Sequence, residues 1–128
     1  MYDPVVTLQR ISKTYSRAGT DVSVLRDLSF TIPAGTFLAI MGPSGSGKST
    51  LLNVMAGIDR PTSGSVVVAG TRLDDLSEGD MARWRARHIG YVFQSYNLIP
   101  VLTASENVEL PLLLTHLSRQ ERREHVKT

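Results

Sequence analysis

The stretch of sequence that decides the fold reads Gly42-Pro43-Ser44-Gly45-Ser46-Gly47-Lys48-Ser49-Thr50. It fits the pattern G-x-x-x-x-G-K-[ST], in which a glycine-rich loop holds phosphate. Gly45 and Gly47 lack a Cβ, so the backbone can take positive φ and direct its N–H groups at phosphate oxygens. Lys48 adds a cation for the β and γ phosphates, Ser49 a hydroxyl for Mg²⁺, and Thr50 a hydroxyl near the α phosphate. We therefore predict a nucleotide site.

The residues around this loop predict a strand before it and a helix after it. Residues 37–41 form a continuous apolar run, which is typical of a strand buried on both faces. Apolar residues recur at helical spacing over residues 47–56, and Gly57 follows as a C-terminal stop. A linker that matched the motif by chance would lack this context. A dinucleotide-binding loop is excluded because Thr50 stands where its third glycine would be.

Three more segments have the pattern of strands. Residues 5–11 are rich in β-branched side chains and predict an outer strand. Apolar side chains at the even positions of residues 22–32 predict a strand with one face in water and Val22 on the inner face. Residues 65–69 include three successive valines and predict a further strand.

The second half of the chain is predicted to be mostly helical. Three pairs have the spacing of a capping box, in which a hydroxyl is followed three residues later by an acid; they are Ser77 with Asp80, Thr103 with Glu106, and Ser118 with Glu121. Residues 89–93 predict a strand after the first of these helices. Pro111 should kink or shorten the second helix.

Composition narrows the class of function. The chain has 14 Lys+Arg and 12 Asp+Glu, a net charge of +2 with no basic stripe, so we do not expect a nucleic-acid partner. It has no cysteine, which excludes disulfides and thiolate metal sites. No apolar run reaches the roughly 18 residues of a spanning helix, so any membrane role is expected to come through a partner. Trp84 and its neighbouring arginines are interpreted as a packed ring among solvated charges rather than a site for nucleic acid or anionic lipid.

The order of these motifs resembles the ATP-binding subunits of ABC transporters, and within them the lipoprotein-release and macrolide-export group. The resemblance spans nearly the whole chain and is carried, besides the phosphate loop, by Ser12-Lys13-Thr14-Tyr15, Val24-Leu25-Arg26-Asp27-Leu28-Ser29-Phe30, Leu51-Leu52-Asn53, Pro61-Thr62-Ser63-Gly64, Gly90-Tyr91-Val92-Phe93-Gln94 and Leu102-Thr103-Ala104-Ser105-Glu106-Asn107-Val108.

This resemblance implies an α/β fold, a P-loop NTPase of the ABC type with an antiparallel β subdomain at its start. Residues 1–36 and 64–72 are expected to form most of that subdomain, and residues 37–58 the strand and helix of the phosphate loop. Residues 89–94 are expected to form the strand that leads to Gln94, and residues 95–128 the start of a helical subdomain. The sequence is interpreted as the N-terminal part of the domain, cut within that helical subdomain.

The resemblance also implies roles for single residues. Tyr15 matches an aromatic that stacks on adenine, although a tyrosine at a strand end can also simply pack on its neighbours. Gln94 matches a glutamine that reaches Mg²⁺ and the attacking water, so Lys48 and Gln94 are the catalytic candidates, and Ser49 and Gln94 the metal candidates. An exposed glutamine at a strand end is the alternative. Residues 96–102 match the surface on which a membrane subunit docks, or they pack in the core.

The function implied is the binding and hydrolysis of Mg-ATP, coupled to export or lipoprotein release. The implied partners are a transmembrane permease subunit and a second ATP-binding subunit, and the implied location is the cytoplasmic face of the cell membrane. The sequence holds no apolar strand ending in Asp-Glu, no Leu-Ser-Gly-Gly-Gln and no switch histidine; Leu76-Ser77-Glu78-Gly79 is interpreted as a helix cap. The 128 residues alone are therefore expected to be inactive. The alternative is a non-catalytic module that binds ATP or docks.

Overall fold

The computed structural model describes residues 4–17 and 19–128, which form an antiparallel sheet and four α-helices. The strands are β1 (Pro4–Arg17), β2 (Thr20–Pro33), β3 (Ser63–Val68) and β4 (Thr71–Arg72). The helices are α1 (Lys48–Met55), α2 (Glu78–His88), α3 (Ala104–Glu109) and α4 (Arg119–Lys127). Two 3₁₀ turns, Leu73–Asp75 and Leu110–Leu114, complete the regular structure.

The four strands form one sheet in the order β2-β1-β3-β4, and every neighbouring pair is antiparallel. The three strands predicted around residues 5–11, 22–32 and 65–69 are present as β1, β2 and β3. The prediction that the first is an outer strand is wrong, because β1 pairs on both sides, with β2 and with β3. The alternation predicted for β2 is wrong at its start, because Val22 is 53% exposed while Leu25, at an odd position, is 3% exposed.

A bulge in the β1–β2 pair accounts for this change of face. Arg10 and Asp27 both have positive φ, at 49° and 47°. The pairing register shifts there twice, between Leu8 and Ile11 and again between Ile11 and Lys13 of β1. The backbone amides that leave the ladder bind serine hydroxyls of the opposite strand: Arg10 N–H donates to Ser29 Oγ at 2.8 Å, and Asp27 N–H to Ser12 Oγ at 3.0 Å. An irregularity of this kind bends the strand and redirects the side chains beyond it.

The core lies where the inner face of the sheet meets α1 and α2. Its buried members come from β1, β2, β3, α1, α2 and the first 3₁₀ turn; they are Leu8, Ile11, Leu25, Leu51, Val54, Val66, Val68, Leu73, Met81 and Trp84. Trp84 stacks on His88 with ring centroids 5.2 Å apart, and among the described residues its Nε1 has no hydrogen-bond partner. The prediction of a packed tryptophan is confirmed, and Arg83 pairs with Asp80 on the surface. The prediction of solvated arginines is wrong for Arg85, which is half-buried and donates to the Gly57 carbonyl at 2.6 Å.

Two predicted strands differ from the structure. Residues 37–41 and 89–93 are both described, and neither segment is a strand. The first was expected to be buried on both faces, yet Phe37 is 97% and Met41 89% exposed. A strand exists only through ladder hydrogen bonds to a neighbour, and the described part of the chain pairs no strand with either segment. The apolar run alone therefore does not produce the strand.

The helix boundaries follow the predicted signals closely. α1 ends before Gly57, which has φ 64°. The capping boxes at Thr103 and Ser118 are complete, with hydroxyl and glutamate each binding a backbone N–H. At Ser77 only half of the box forms, because the shorter Asp80 carboxylate binds the Ser77 hydroxyl and Arg83 instead of reaching back to the backbone. α3 ends at Glu109, two residues before Pro111, as predicted.

The chain divides into two compact units, Met1–Tyr91 and Val92–Thr128. The first contains the sheet, α1 and α2, and the second contains α3, α4 and the 3₁₀ turn between them. No helix in the described part of the chain combines the length and apolar character needed to cross a bilayer.

Candidate functional site

The loop that leads into α1 has the backbone that the phosphate motif predicts. Gly45 and Gly47 lie in the left-handed region, with φ of 78° and 89°. Ser46 N–H donates to the Pro43 carbonyl at 3.3 Å, and Leu51 N–H donates to the Gly47 carbonyl at 2.8 Å, which opens the helix. The amides of the first turn of α1 therefore follow directly on the loop, as an anion site at a helix N-terminus requires.

The two glycines are needed for different reasons. A Cβ on Gly47 would lie 3.0 Å from the Val24 carbonyl oxygen and 3.0 Å from Leu25 Cδ2, so the loop presses directly against β2. A Cβ on Gly45 would meet no described atom within 4 Å. Gly47 thus fixes the loop to the sheet, whereas Gly45 faces open space that a ligand could enter.

Lys48 lies across the start of the loop. Its Nζ donates to the Gly42 carbonyl at 2.9 Å and to the Pro43 carbonyl at 2.7 Å, with Ser46 Oγ at 3.4 Å. An ammonium in this position adds its charge to the backbone N–H groups of the loop. Ser49 is exposed and lies in the first turn of α1.

Tyr15 is anchored through its hydroxyl at the end of β1. The hydroxyl donates to Asp59 Oδ2 at 2.6 Å, and Lys13 Nζ lies 4.8 Å from the centre of the ring. The pKa of Tyr15 is raised, mainly by the hydrogen bond to Asp59 and to a smaller extent by partial burial. A hydrogen bond with the Thr50 side chain lowers this pKa and offsets part of the rise. Tyr15 therefore joins β1 to the loop after α1 and to the helix that begins at the phosphate motif.

Asp59 is a member of this site that the sequence analysis missed. Its Oδ1 accepts from Lys13 Nζ at 2.6 Å and from the Arg60 N–H at 2.8 Å, and Lys13 Nζ also donates to the Arg60 carbonyl at 2.7 Å. Burial alone would raise the pKa of Asp59, but the hydrogen bonds from Lys13 and Tyr15 outweigh it and hold the pKa below its usual value. Asp59 is 44 residues from Tyr15 in sequence, so no local pattern could indicate the contact.

The remaining candidates lie in the second unit. Gln94 is exposed. In the segment of residues 96–102, the apolar side chains of Leu98, Ile99 and Val101 are 60%, 39% and 89% exposed, so the alternative of core packing is wrong for them. Asn107 holds the shape of this segment: its Oδ1 accepts from the Ile99 N–H at 2.7 Å, and its Nδ2 donates to the carbonyls of Ile99 and Leu102, both at 3.2 Å.

The described residues contain no ready-made metal centre, since nowhere in residues 4–17 and 19–128 do three His, Asp or Glu side chains come together as one. A divalent cation at this site would need oxygen ligands from the nucleotide and water in addition to the protein hydroxyls and amides, which is how Mg²⁺ is usually held.

The chain is similar to members of one known protein family. The family model described as ABC transporter matches residues 25–128. The chain is 45% identical over 120 residues to the uncharacterized ABC transporter ATP-binding protein YvrO of Bacillus subtilis, covering 94% of this chain and 52% of that protein. It is 43% identical over 124 residues to the macrolide export ATP-binding/permease protein MacB of Burkholderia pseudomallei, covering 97% of this chain and 19% of that protein.

Solved structures of one relative show the same fold. The ATP-binding cassette MJ0796, a protein of Methanocaldococcus jannaschii, has a dimeric structure in a post-hydrolysis state bound to ADP and Pi, which matches with a TM-score of 0.87 and 42% identity over 95% of this chain and 54% of that one. A second dimeric structure of MJ0796 matches with a TM-score of 0.85 and 43% identity, covering 93% of this chain and 53% of that one. The chain thus spans about half the length of YvrO and MJ0796.

Proposed function

Because this chain belongs to the ABC transporter family, we propose that it is the nucleotide-binding part of a subunit that hydrolyses Mg-ATP to drive transport through a membrane partner. The observation that carries the proposal is the loop before α1, in which left-handed Gly45 and Gly47 turn the backbone and Lys48 lies across it. Together these features offer backbone N–H groups, a helix N-terminus and a cation to the phosphate groups of one nucleotide.

In this proposal the loop amides bind the phosphate oxygens, and Lys48 exchanges its carbonyl partners for the β and γ phosphates. The hydroxyl of Ser49 and the amide oxygen of Gln94 would hold Mg²⁺, because both are exposed oxygen donors of the hard type that this ion prefers. Bound Mg²⁺ would neutralise part of the phosphate charge. Tyr15 would offer its ring to the adenine base.

The proposed transport role involves two partners. The exposed apolar segment of residues 96–102 is the proposed docking surface for a transmembrane permease, and its outward side chains support that use. A second ATP-binding subunit is proposed because the solved MJ0796 cassettes are dimeric. Macrolide export is the activity named for MacB, and export or lipoprotein release is the proposed class of transport here. The cytoplasmic face of the membrane is the proposed location.

The proposal is tested by Lys48→Ala in the full-length protein. We expect ATP binding to weaken strongly and turnover to be lost, because the variant removes the cation from the most charged part of the ligand. Lys127→Ala is the matched control, since Lys127 lies exposed in α4 of the second unit and should change neither quantity. Unchanged ATP affinity and turnover in Lys48→Ala would overturn the assignment of the phosphate loop.

A further inference from the structure

The Asp59 carboxylate accepts three hydrogen bonds, from the side chains of Lys13 and Tyr15 and from the Arg60 N–H. It follows α1 by a few residues and lies in the loop that leads to β3. Both of its carboxylate oxygens are used, Oδ2 by the Tyr15 hydroxyl and Oδ1 by Lys13 Nζ, each at 2.6 Å. Hydrogen bonds to an ionised carboxylate are shorter and stronger than neutral ones, so Asp59 restrains both side chains together.

This arrangement determines how the Tyr15 ring is presented. The hydroxyl is tied to Asp59, which fixes the long axis of the ring, and the Lys13 ammonium covers one of its faces at 4.8 Å from the centroid. Lys13 is in turn held by the Arg60 carbonyl at 2.7 Å, and its side chain is 13% exposed. One face of the ring is therefore occupied, and only the other can receive a flat partner. Without the contacts to Asp59 and Lys13, rotation about its two χ angles would leave the Tyr15 ring free to change orientation.

We propose that Asp59 is a positioning residue for nucleotide binding: through its bonds to Tyr15 and Lys13 it holds the ring ready for a purine base. This inference rests on the proposed function, in which Tyr15 stacks on adenine. A ring fixed in its bound orientation loses less conformational entropy when the base arrives, so the affinity for nucleotide rises without a new contact. Asp59 itself touches neither base nor phosphate in this proposal.

The test compares two ligands in the full-length protein, ATP and inorganic tripolyphosphate, which has phosphates but no base. We expect Asp59→Ala to lower the affinity for ATP about tenfold, within the range of a lost base stack, and to leave tripolyphosphate unchanged. Asp75→Ala is the matched control, because Asp75 is an exposed aspartate of the neighbouring 3₁₀ turn and should change neither affinity. Equal losses for both ligands would overturn the proposal, since Asp59 would then support the phosphate loop as a whole.

A double variant separates this proposal from the one on which it rests. If Asp59 acts through Tyr15, then Tyr15→Ala combined with Asp59→Ala should bind ATP as Tyr15→Ala alone does; additive losses would overturn the inference. If Tyr15→Ala leaves ATP affinity unchanged, the stacking role fails first. If Tyr15→Ala weakens ATP but Asp59→Ala does not, only the positioning role fails. Should Asp59→Ala not fold, Asp59→Asn keeps the shape but loses the charge, and unchanged ATP affinity in that variant would also refute the inference.

Discussion

Gly47 offers the sharpest test of how the phosphate loop is held in place. Replacing it by Ala forces an L side chain into the left-handed backbone at φ 89°, which costs about 1–2 kcal/mol. The new Cβ would also lie 3.0 Å from the Val24 carbonyl oxygen and 3.0 Å from Leu25 Cδ2. Neither neighbour can move away easily, because one is backbone of β2 and the other belongs to the buried core. Such overpacking adds about 1–3 kcal/mol.

Gly45→Ala is the matched comparison, because it shares one cost and lacks the other. Its φ is 78°, so the backbone cost is again about 1–2 kcal/mol. A Cβ there would meet no described atom within 4 Å, so no packing cost is added. In the full-length protein, we expect the free energy of unfolding, measured by urea titration and circular dichroism, to fall by about 1–3 kcal/mol more in Gly47→Ala than in Gly45→Ala. Equal losses, or a larger loss in Gly45→Ala, would refute the packing of the loop on β2.

Two further predictions concern the second unit and the chain as a whole. Backbone and hydroxyl bonds from Thr103 lower the pKa of Glu106, so its contribution to the cap of α3 is complete above the usual carboxyl range and is lost as the pH falls through the lowered pKa. The helical circular dichroism should therefore decrease in acid, and Glu106→Gln should reduce that decrease; identical acid curves would contradict the cap. Residues 1–128, purified alone, should self-associate through exposed side chains such as Phe37 and Met41 and should release no phosphate from Mg-ATP. A monodisperse fragment with ATPase activity abolished by Lys48→Ala would contradict this.

Features with local causes could be predicted from the sequence. The left-handed turn at Gly45 and Gly47 and the helix α1 follow from glycines and apolar spacing within fifteen residues, 42–56. The caps at Thr103 and Ser118 follow from residues three positions apart. The incomplete box at Ser77 shows the limit of spacing alone, because an aspartate has the charge of a glutamate without its reach.

Features that depend on distant residues could not be predicted. The bulge that turns Leu25 inward requires Ser12 and Ser29 to bind amides across the strand pair, and no periodicity within one strand contains that information. The contact between Tyr15 and Asp59 depends in the same way on how β1 and the loop after α1 come together. Residues 37–41 have the composition of a buried strand, but a strand also needs a neighbour to pair with.

The buried Trp84 is a natural fluorescent probe for the first of the two units. It is the only tryptophan in the sequence, 6% exposed, and lies in the unit Met1–Tyr91. Indole emission therefore reports on the packing of α2 against the sheet, and residues 92–128 contribute no indole of their own. Far-ultraviolet circular dichroism reports on the helices of both units, including α3 and α4. When both signals are followed through one denaturation, a difference between their midpoints measures whether the two units unfold together or separately.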